Sequence, residues 1–257
     1  MNKGYKIVCI CLTALLLVAL LAVFAAGCGS KATTTTSAGT GTTGSGTTAA
    51  APTGEAIVIG AIVSATGPNS ALGLQERNVL QMMETSINAA GGVLGRPLKL
   101  VIEDDTSDAQ AAVTAANKLI DQDKAVALIA ATGSASTVAV KAITATKGLP
   151  QMAMAAANEI TDKAPMDWIW RTPQKDSMAA ARALTYISGT LKLKKIAVLH
   201  DENAFGTSGA TEIANTASKY GLEIVATESY KTADTDLTAQ LTKIMSSAVK
   251  PSWLVAE

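Results

Sequence analysis

Small hydroxyl residues and glycines crowd four short segments of this sequence: Ser64-Ala65-Thr66-Gly67-Pro68-Asn69-Ser70-Ala71-Leu72-Gly73, Ala131-Thr132-Gly133-Ser134-Ala135-Ser136-Thr137, Ala155-Ala156-Ala157-Asn158 and His200-Asp201-Glu202-Asn203-Ala204-Phe205-Gly206. Hydroxyl groups beside backbone N–H groups at a helix start can hold a small anion, since both donate and the helix end carries partial positive charge. Groups that would turn such a ligand over are scarce. The sequence has one His, His200, and its three Cys (Cys9, Cys11, Cys28) all precede position 29. That excludes a structural zinc site, a Cys nucleophile and a disulfide scaffold from the body of the chain. Gly206-Thr207-Ser208-Gly209-Ala210 misses the nucleophile elbow because Ala210 stands where a glycine is required, and residues 247–250 match Ser-x-x-Lys without its companion motifs. Glu103-Asp104-Asp105 invites a metal or acid/base reading. Adjacent strand residues point to opposite faces, however, and acids ahead of a helix serve as caps.

The elements that must position these loops alternate between strand and helix. Short apolar, β-branched runs predict strands at 56–63, 98–102, 126–130, 151–154, 168–172, 195–199, 223–229 and 252–255. Helical spacing predicts helices at 74–90, 108–120, 136–146, 176–188, 207–220 and 237–248, with Gly91-Gly92, Gly148 and Gly221 as stops. Nearly continuous apolar strands separated by helices mean α/β architecture with parallel sheets covered on both faces. In such sheets ligands bind at the strand carboxyl ends, where the four loops lie.

The ends of the chain read differently from its body. Lys3 and Lys6 precede an uncharged apolar run at 7–26, long enough to cross a bilayer. A transmembrane anchor and a signal peptide compete. Val23-Phe24-Ala25-Ala26-Gly27-Cys28 resembles the bacterial lipobox, which implies lipidation of Cys28, export of the remainder and membrane attachment through the lipid. Residues 29–54 are Gly, Ser, Ala and Thr except for Lys31 and Pro52. That composition buries too little apolar surface to order itself and forms a tether of roughly 25–30 Å. Gly39-Thr40-Gly41-Thr42-Thr43-Gly44 matches a dinucleotide fingerprint by composition only, with no strand before it and no helix after. Lys+Arg 21 balance Asp+Glu 21, which argues against nucleic acid as a partner. The expected organisation is a signal peptide at 1–27, lipidated Cys and tether at 28–54, a first lobe at 55–172, and a hinge with a partial second lobe at 173–257.

The segment from Ser64 to Gly73, the Ile87-Asn88-Ala89-Ala90-Gly91-Gly92 and Gly95-Arg96-Pro97 turn, Glu103-Asp104-Asp105, Gly133-Ser134-Ala135-Ser136-Thr137 and His200-Asp201 with Phe205-Gly206 together resemble the branched-chain amino acid (Leu/Ile/Val) binding proteins of ABC importers. The resemblance runs from about residue 56 to the end. It implies a type I periplasmic-binding fold, two Rossmann-like lobes closing on ligand, with the second lobe incomplete because the family exceeds three hundred residues. It also implies that no cofactor is needed, that the protein is not an enzyme, and that ABC permease subunits receive the ligand. The resemblance points to Ser134 as the hydroxyl gripping a ligand carboxylate, with Ser136 and Thr137 beside it. Backbone groups of Ala155, Ala156 and Ala157 would serve the ammonium and carboxylate ends, in a loop one residue short of the family pattern. Phe205 stands where the family often has Tyr as a ligand wall. Leu72 stands where amino-acid receptors commonly carry a bulky aromatic.

Alternatives stay open at each position. Ser134, Ser136 and Thr137 would equally cap the helix they precede, with a Ser-to-Ala cost of about 1 kcal/mol. Phe205 fits a core as well as a site. Trp168 and Trp170 read as core and lobe-interface packing. A ligand-sensing domain of the same fold, or a receptor for aromatic acids, competes with an amino acid importer. A hydroxyl-lined cradle contributes about 1.5–3 kcal/mol per charge-assisted bond. An apolar wall separates ligands differing by a methylene by only about 10–200-fold, so broad specificity is expected.

Overall fold

A computed structural model describes residues 50–165 and 167–247. Cys28, most of the tether and the expected strand at 252–255 lie outside the described residues. Five strands form one parallel sheet: β1 (Ile57–Val63), β2 (Leu98–Asp104), β3 (Leu128–Ala130), β4 (Gln151–Ala153) and β5 (Ile169–Arg171), in the order β2-β1-β3-β4-β5. β1 pairs along its whole length with β2, from Ile57 opposite Leu98 to Val63 opposite Asp104. Helices α1 (Ser70–Ala89), α2 (Ala109–Asp121), α3 (Ser134–Lys147) and the short α4 (Glu159–Asp162) connect them. A second parallel sheet pairs β6 (Lys195–Asp201) with β7 (Glu223–Tyr230), flanked by α5 (Asp176–Gly189), α6 (Ala204–Thr216) and α7 (Thr238–Ser246). Parallel neighbours need a crossover, and helices supply it.

Each sheet has its own apolar core. Ile62, Leu119, Leu128 and Val140 are buried with Ala112, Ala116 and Ala130 around the first sheet. Leu184, Ile187, Ile196, Val198, Ile213 and Leu222 do the same around the second. Full burial of a Leu or Ile contributes about 1.5–3 kcal/mol, while the alanines on α2 let that helix approach the sheet closely. Asp108 caps α2 by accepting from the Ala111 N–H (2.7 Å), and Asn203 caps α6 by accepting from Phe205 N–H (2.9 Å) and Gly206 N–H (3.1 Å). Gly148 ends α3 with φ 62, in the left-handed region that glycine adopts without a Cβ penalty.

Several helices begin earlier than periodicity predicts. α1 starts at Ser70, α3 at Ser134 and α6 at Ala204. Their first turns are small and polar, so the apolar repeat begins only in the second turn. Leu72 therefore belongs to a helix rather than a loop. The tryptophan expectation is corrected: Ile169 turns inward at 6 % exposure, and Trp168 and Trp170 stand 41 % and 51 % exposed. Strand alternation forces this split, because neighbours of an inward residue must face out. The acidic run also does something other than cap. Asp108 caps α2; Glu103 pairs with Lys118 (2.5 Å), Asp104 accepts from the Thr66 hydroxyl (2.8 Å), and Asp105 accepts from the Ser64 hydroxyl (2.6 Å).

Candidate functional site

The loops after β1, β3 and β4, the three interior strands, meet at the carboxyl end of the first sheet. Ser64 N–H donates to Thr132 Oγ1 (2.9 Å), and the Thr132 hydroxyl in turn donates to the Glu76 carboxylate from α1. Gly73 lets α1 lie directly on this loop: a Cβ there would sit 2.1 Å from the Ser64 carbonyl oxygen. Burial pushes the Glu76 carboxyl above its usual 4.5; the Thr132 hydroxyl counteracts this, and the neighbouring Asp105 charge adds to it.

Ser134 stands at the first position of α3, after the N-cap Gly133, and no side chain caps this helix. The capping reading of Ser134 is thereby corrected. Its hydroxyl accepts instead from the Ala157 N–H at 3.3 Å, joining the loop after β3 to the loop after β4. Ser134, Ser136, Ala155 and Ala157 are all buried. The first N–H groups of α3 have no partner within the helix and, with the Ser134 hydroxyl, form a donor cluster suited to an anion. Thr137 has another task. Its hydroxyl has the carbonyls of Ala131 (3.0 Å) and Gly133 (2.9 Å) as acceptors for its one proton and accepts from Ala131 N–H (3.0 Å), which braces the loop.

The 155–158 loop is held from behind by Arg171 at the end of β5. The guanidinium donates to the carbonyls of Ala156 (2.8 Å) and Ala157 (2.9 Å) and to Thr161 Oγ1 (2.8 Å). Asp176 N–H reaches the same Ala156 carbonyl at 3.0 Å. With their carbonyls engaged on this side, the loop's peptides are fixed in orientation. Desolvation lowers the Arg171 pKa, and the Asp162 and Asp176 charges counteract it. Asp176 is buried, and burial raises its carboxyl above the usual 3.8 even though the Ser208 hydroxyl and Arg171 both favour the ionised form.

The second sheet contributes from α6. Phe205 is half-buried in the first turn of this helix, and Gly206 brings the helix onto the end of β6, where a Cβ would lie 2.2 Å from the Asp201 carbonyl oxygen. Asn158 N–H donates to Ser208 Oγ (3.0 Å) and Asn158 Nδ2 to Glu212 Oε2 (3.2 Å). A cavity of about 210 Å³ opens beside this contact, lined by residues of 158–163 and of α6 that include Lys163, Thr207 and Glu212. Neither Ser134 nor Phe205 lines it. His200 Nδ1 lies 2.8 Å from the Asp201 carbonyl oxygen.

Of the residues singled out by sequence, the structure brings Ser134 and Ala157 into contact, with Ala155, Ala156 and Ser136 in the same two turns. Thr137 braces them. Phe205 sits one helical turn before Ser208, the α6 residue that meets the loop. Leu72 is 63 % exposed in the first turn of α1, apart from the buried group. Arg171, Asp176 and Glu212 escape sequence reading, and Ser208 is marked there only as the serine of an incomplete nucleophile elbow. A charged residue ending the apolar run Ile169-Trp170 is the one signal for Arg171; nothing local marks Asp176 or Glu212 as site residues.

Parallel strands whose carboxyl ends gather donors, in two α/β units joined through loop and helix, define a ligand-holding fold. Residues 56–255 match the periplasmic binding protein family. An amino acid binding protein of Pseudomonas aeruginosa is 31 % identical over 194 residues, covering 76 % of this chain and 52 % of the relative. A leucine-, isoleucine-, valine-, threonine- and alanine-binding protein of the same species is 32 % identical over 197 residues, with the same coverage. The solved branched-chain amino acid transporter substrate binding protein of Streptococcus pneumoniae, in complex with isoleucine, matches with a TM-score of 0.67 and 28 % identity, covering 75 % of this chain and 54 % of that one. The chain belongs to the periplasmic binding protein family, and its fold is that of the type I members. It spans about half the length of the curated relatives it matches.

Proposed function

We propose that this protein is the extracytoplasmic solute-binding component of an ABC importer, that it captures branched-chain or other small hydrophobic amino acids or related carboxylates, and that it is anchored through lipidated Cys28. It binds without transforming its ligand and delivers it to the permease. The observation that supports this reading above others is the 3.3 Å approach of Ser134 Oγ to the Ala157 N–H at the start of α3. Two loops far apart in sequence thereby present a hydroxyl, amide hydrogens and a helix N-terminus to one point, a cradle suited to a carboxylate. The relatives named for amino acid binding, and the one solved with isoleucine, support the same ligand class. The assumed roles are carboxylate grip for Ser134, backbone donors at 155–157, and an apolar wall at Phe205.

Isothermal titration of the full chain with isoleucine, leucine, valine, phenylalanine and benzoate tests this. Saturable heat with an aliphatic amino acid is expected. Heat with benzoate alone would move the ligand class to aromatic acids, and silence with all five would overturn the receptor reading. Mass spectrometry of the membrane fraction, expected to find diacylglycerol on Cys28, checks the anchor.

A further inference from the structure

Asn158 directly follows the three alanines and makes more contacts to the second α/β unit than any of them. Its N–H donates to Ser208 Oγ (3.0 Å), its Nδ2 donates to Glu212 Oε2 (3.2 Å), and its Oδ1 accepts from Ser177 N–H at the start of α5 (3.0 Å). Ser208 in turn bonds the buried Asp176 carboxyl, whose backbone N–H holds the Ala156 carbonyl. A closed path therefore runs from the 155–157 loop through Asn158 to α6 and back through Asp176. Arg171 fixes the loop end of that path on the Ala156 and Ala157 carbonyls.

We infer that Asn158 is a positioning residue that latches the two α/β units together and sets the loop that would hold the ligand. The Asn158 amide is suited to this because it donates to the Glu212 carboxylate on α6 while accepting from the Ser177 N–H at the start of α5, two points of the second unit that neither Asp nor Leu can hold at once. Separation of the units removes the bonds to Ser208, Glu212 and Ser177 and leaves the 155–158 loop held by Arg171 and the Ser134 hydroxyl. Closure and ligand-loop geometry are thus one event. The affinity arm of the test below rests on the amino acid receptor reading; the exchange arm does not.

The Asn158→Asp variant retains the acceptor for Ser177 N–H and loses only the donor to Glu212, placing two carboxylates face to face. Hydrogen exchange of the ligand-free full chain, read by mass spectrometry at 155–158 and 204–212, is expected to accelerate about tenfold in both segments. Isoleucine affinity is expected to fall about tenfold, through faster release. The double variant Asn158→Asp with Glu212→Gln restores a donor from the other side and is expected to recover both readouts. Unchanged exchange in Asn158→Asp, or acceleration that Glu212→Gln fails to reverse, overturns the latch. Exchange that responds and recovers while isoleucine never binds the unaltered chain supports the latch and overturns the ligand class alone.

Discussion

Ser134 illustrates how one hydroxyl is freed for function. Gly133 occupies the N-cap position, so the helix start asks nothing of the Ser134 side chain, which turns to the neighbouring loop instead. Ser134→Ala is accordingly expected to lower the thermal midpoint modestly, because the buried Ala157 N–H loses its acceptor, and to weaken isoleucine binding by about 1.5–3 kcal/mol, the range for a hydrogen bond to a charged group. A lowered midpoint with unaltered affinity would make the hydroxyl a structural tie. Arg171 works from the opposite side of the same loop. Its planar fork places two N–H groups on two carbonyls in a fixed geometry, whereas a lysine would approach both from a single, shorter-reaching nitrogen. Arg171→Lys is expected to cost affinity for isoleucine and to speed hydrogen exchange at 155–157, both measurable in one preparation; full retention of either would show that charge alone suffices.

Among the elements, α1 and α6 are placed by glycine rather than by side chains. Each follows the first strand of its sheet, and each approaches the preceding loop so closely that a Cβ would overlap backbone: Gly73 against Ser64 and Gly206 against Asp201. Backbone cannot swing aside as a flexible side chain does. Gly73→Ala and Gly206→Ala are each expected to lower stability by about 1–3 kcal/mol, as overpacking does, read as a shift in the chemical denaturation midpoint. The effect should reach the loops too, since both helices then sit further from the strand ends. The parallel between the two contacts also explains why the strand carboxyl ends carry the useful groups in both units: helix N-termini are drawn against the chain there.

Across the whole molecule, the junction of the two units has an electrostatic consequence. Asp176 is buried with a raised carboxyl pKa, chiefly from desolvation. A folded carboxyl pKa above the unfolded value means that the native state binds the proton more tightly. Its stabilising contribution is complete below the unfolded value near 3.8 and is lost as pH rises through the raised folded value. Glu76 acts in the same sense above its own 4.5. Thermal melts of Asp176→Asn against the parent chain, stepped from neutral pH down toward 4, are expected to show the parent gaining on the variant as acid is added. A constant difference across that range would mean that Asp176 does not titrate differently in the two states.

Length scale also separates what was legible in the sequence from what was not. The alternation of apolar strands with 3.6-period helices determined the α/β class, the parallel strands and the order of the loops, because period and burial are local properties of a few residues. Small, polar first turns blurred helix starts, and so Leu72 and Ser134 were assigned to loops although they lie in helices. Trp168 and Trp170 read as packing residues because indoles are usually covered, yet the strand's alternation spent its inward place on Ile169. Convergence was decided only in three dimensions. Ser134 meets Ala157 across 23 positions and Asn158 meets Glu212 across 54. No local pattern encodes such pairs; they exist because β3, β4 and β5 lie side by side and end level, carrying Arg171 and Asp176 to the back of a loop they adjoin only in the folded chain.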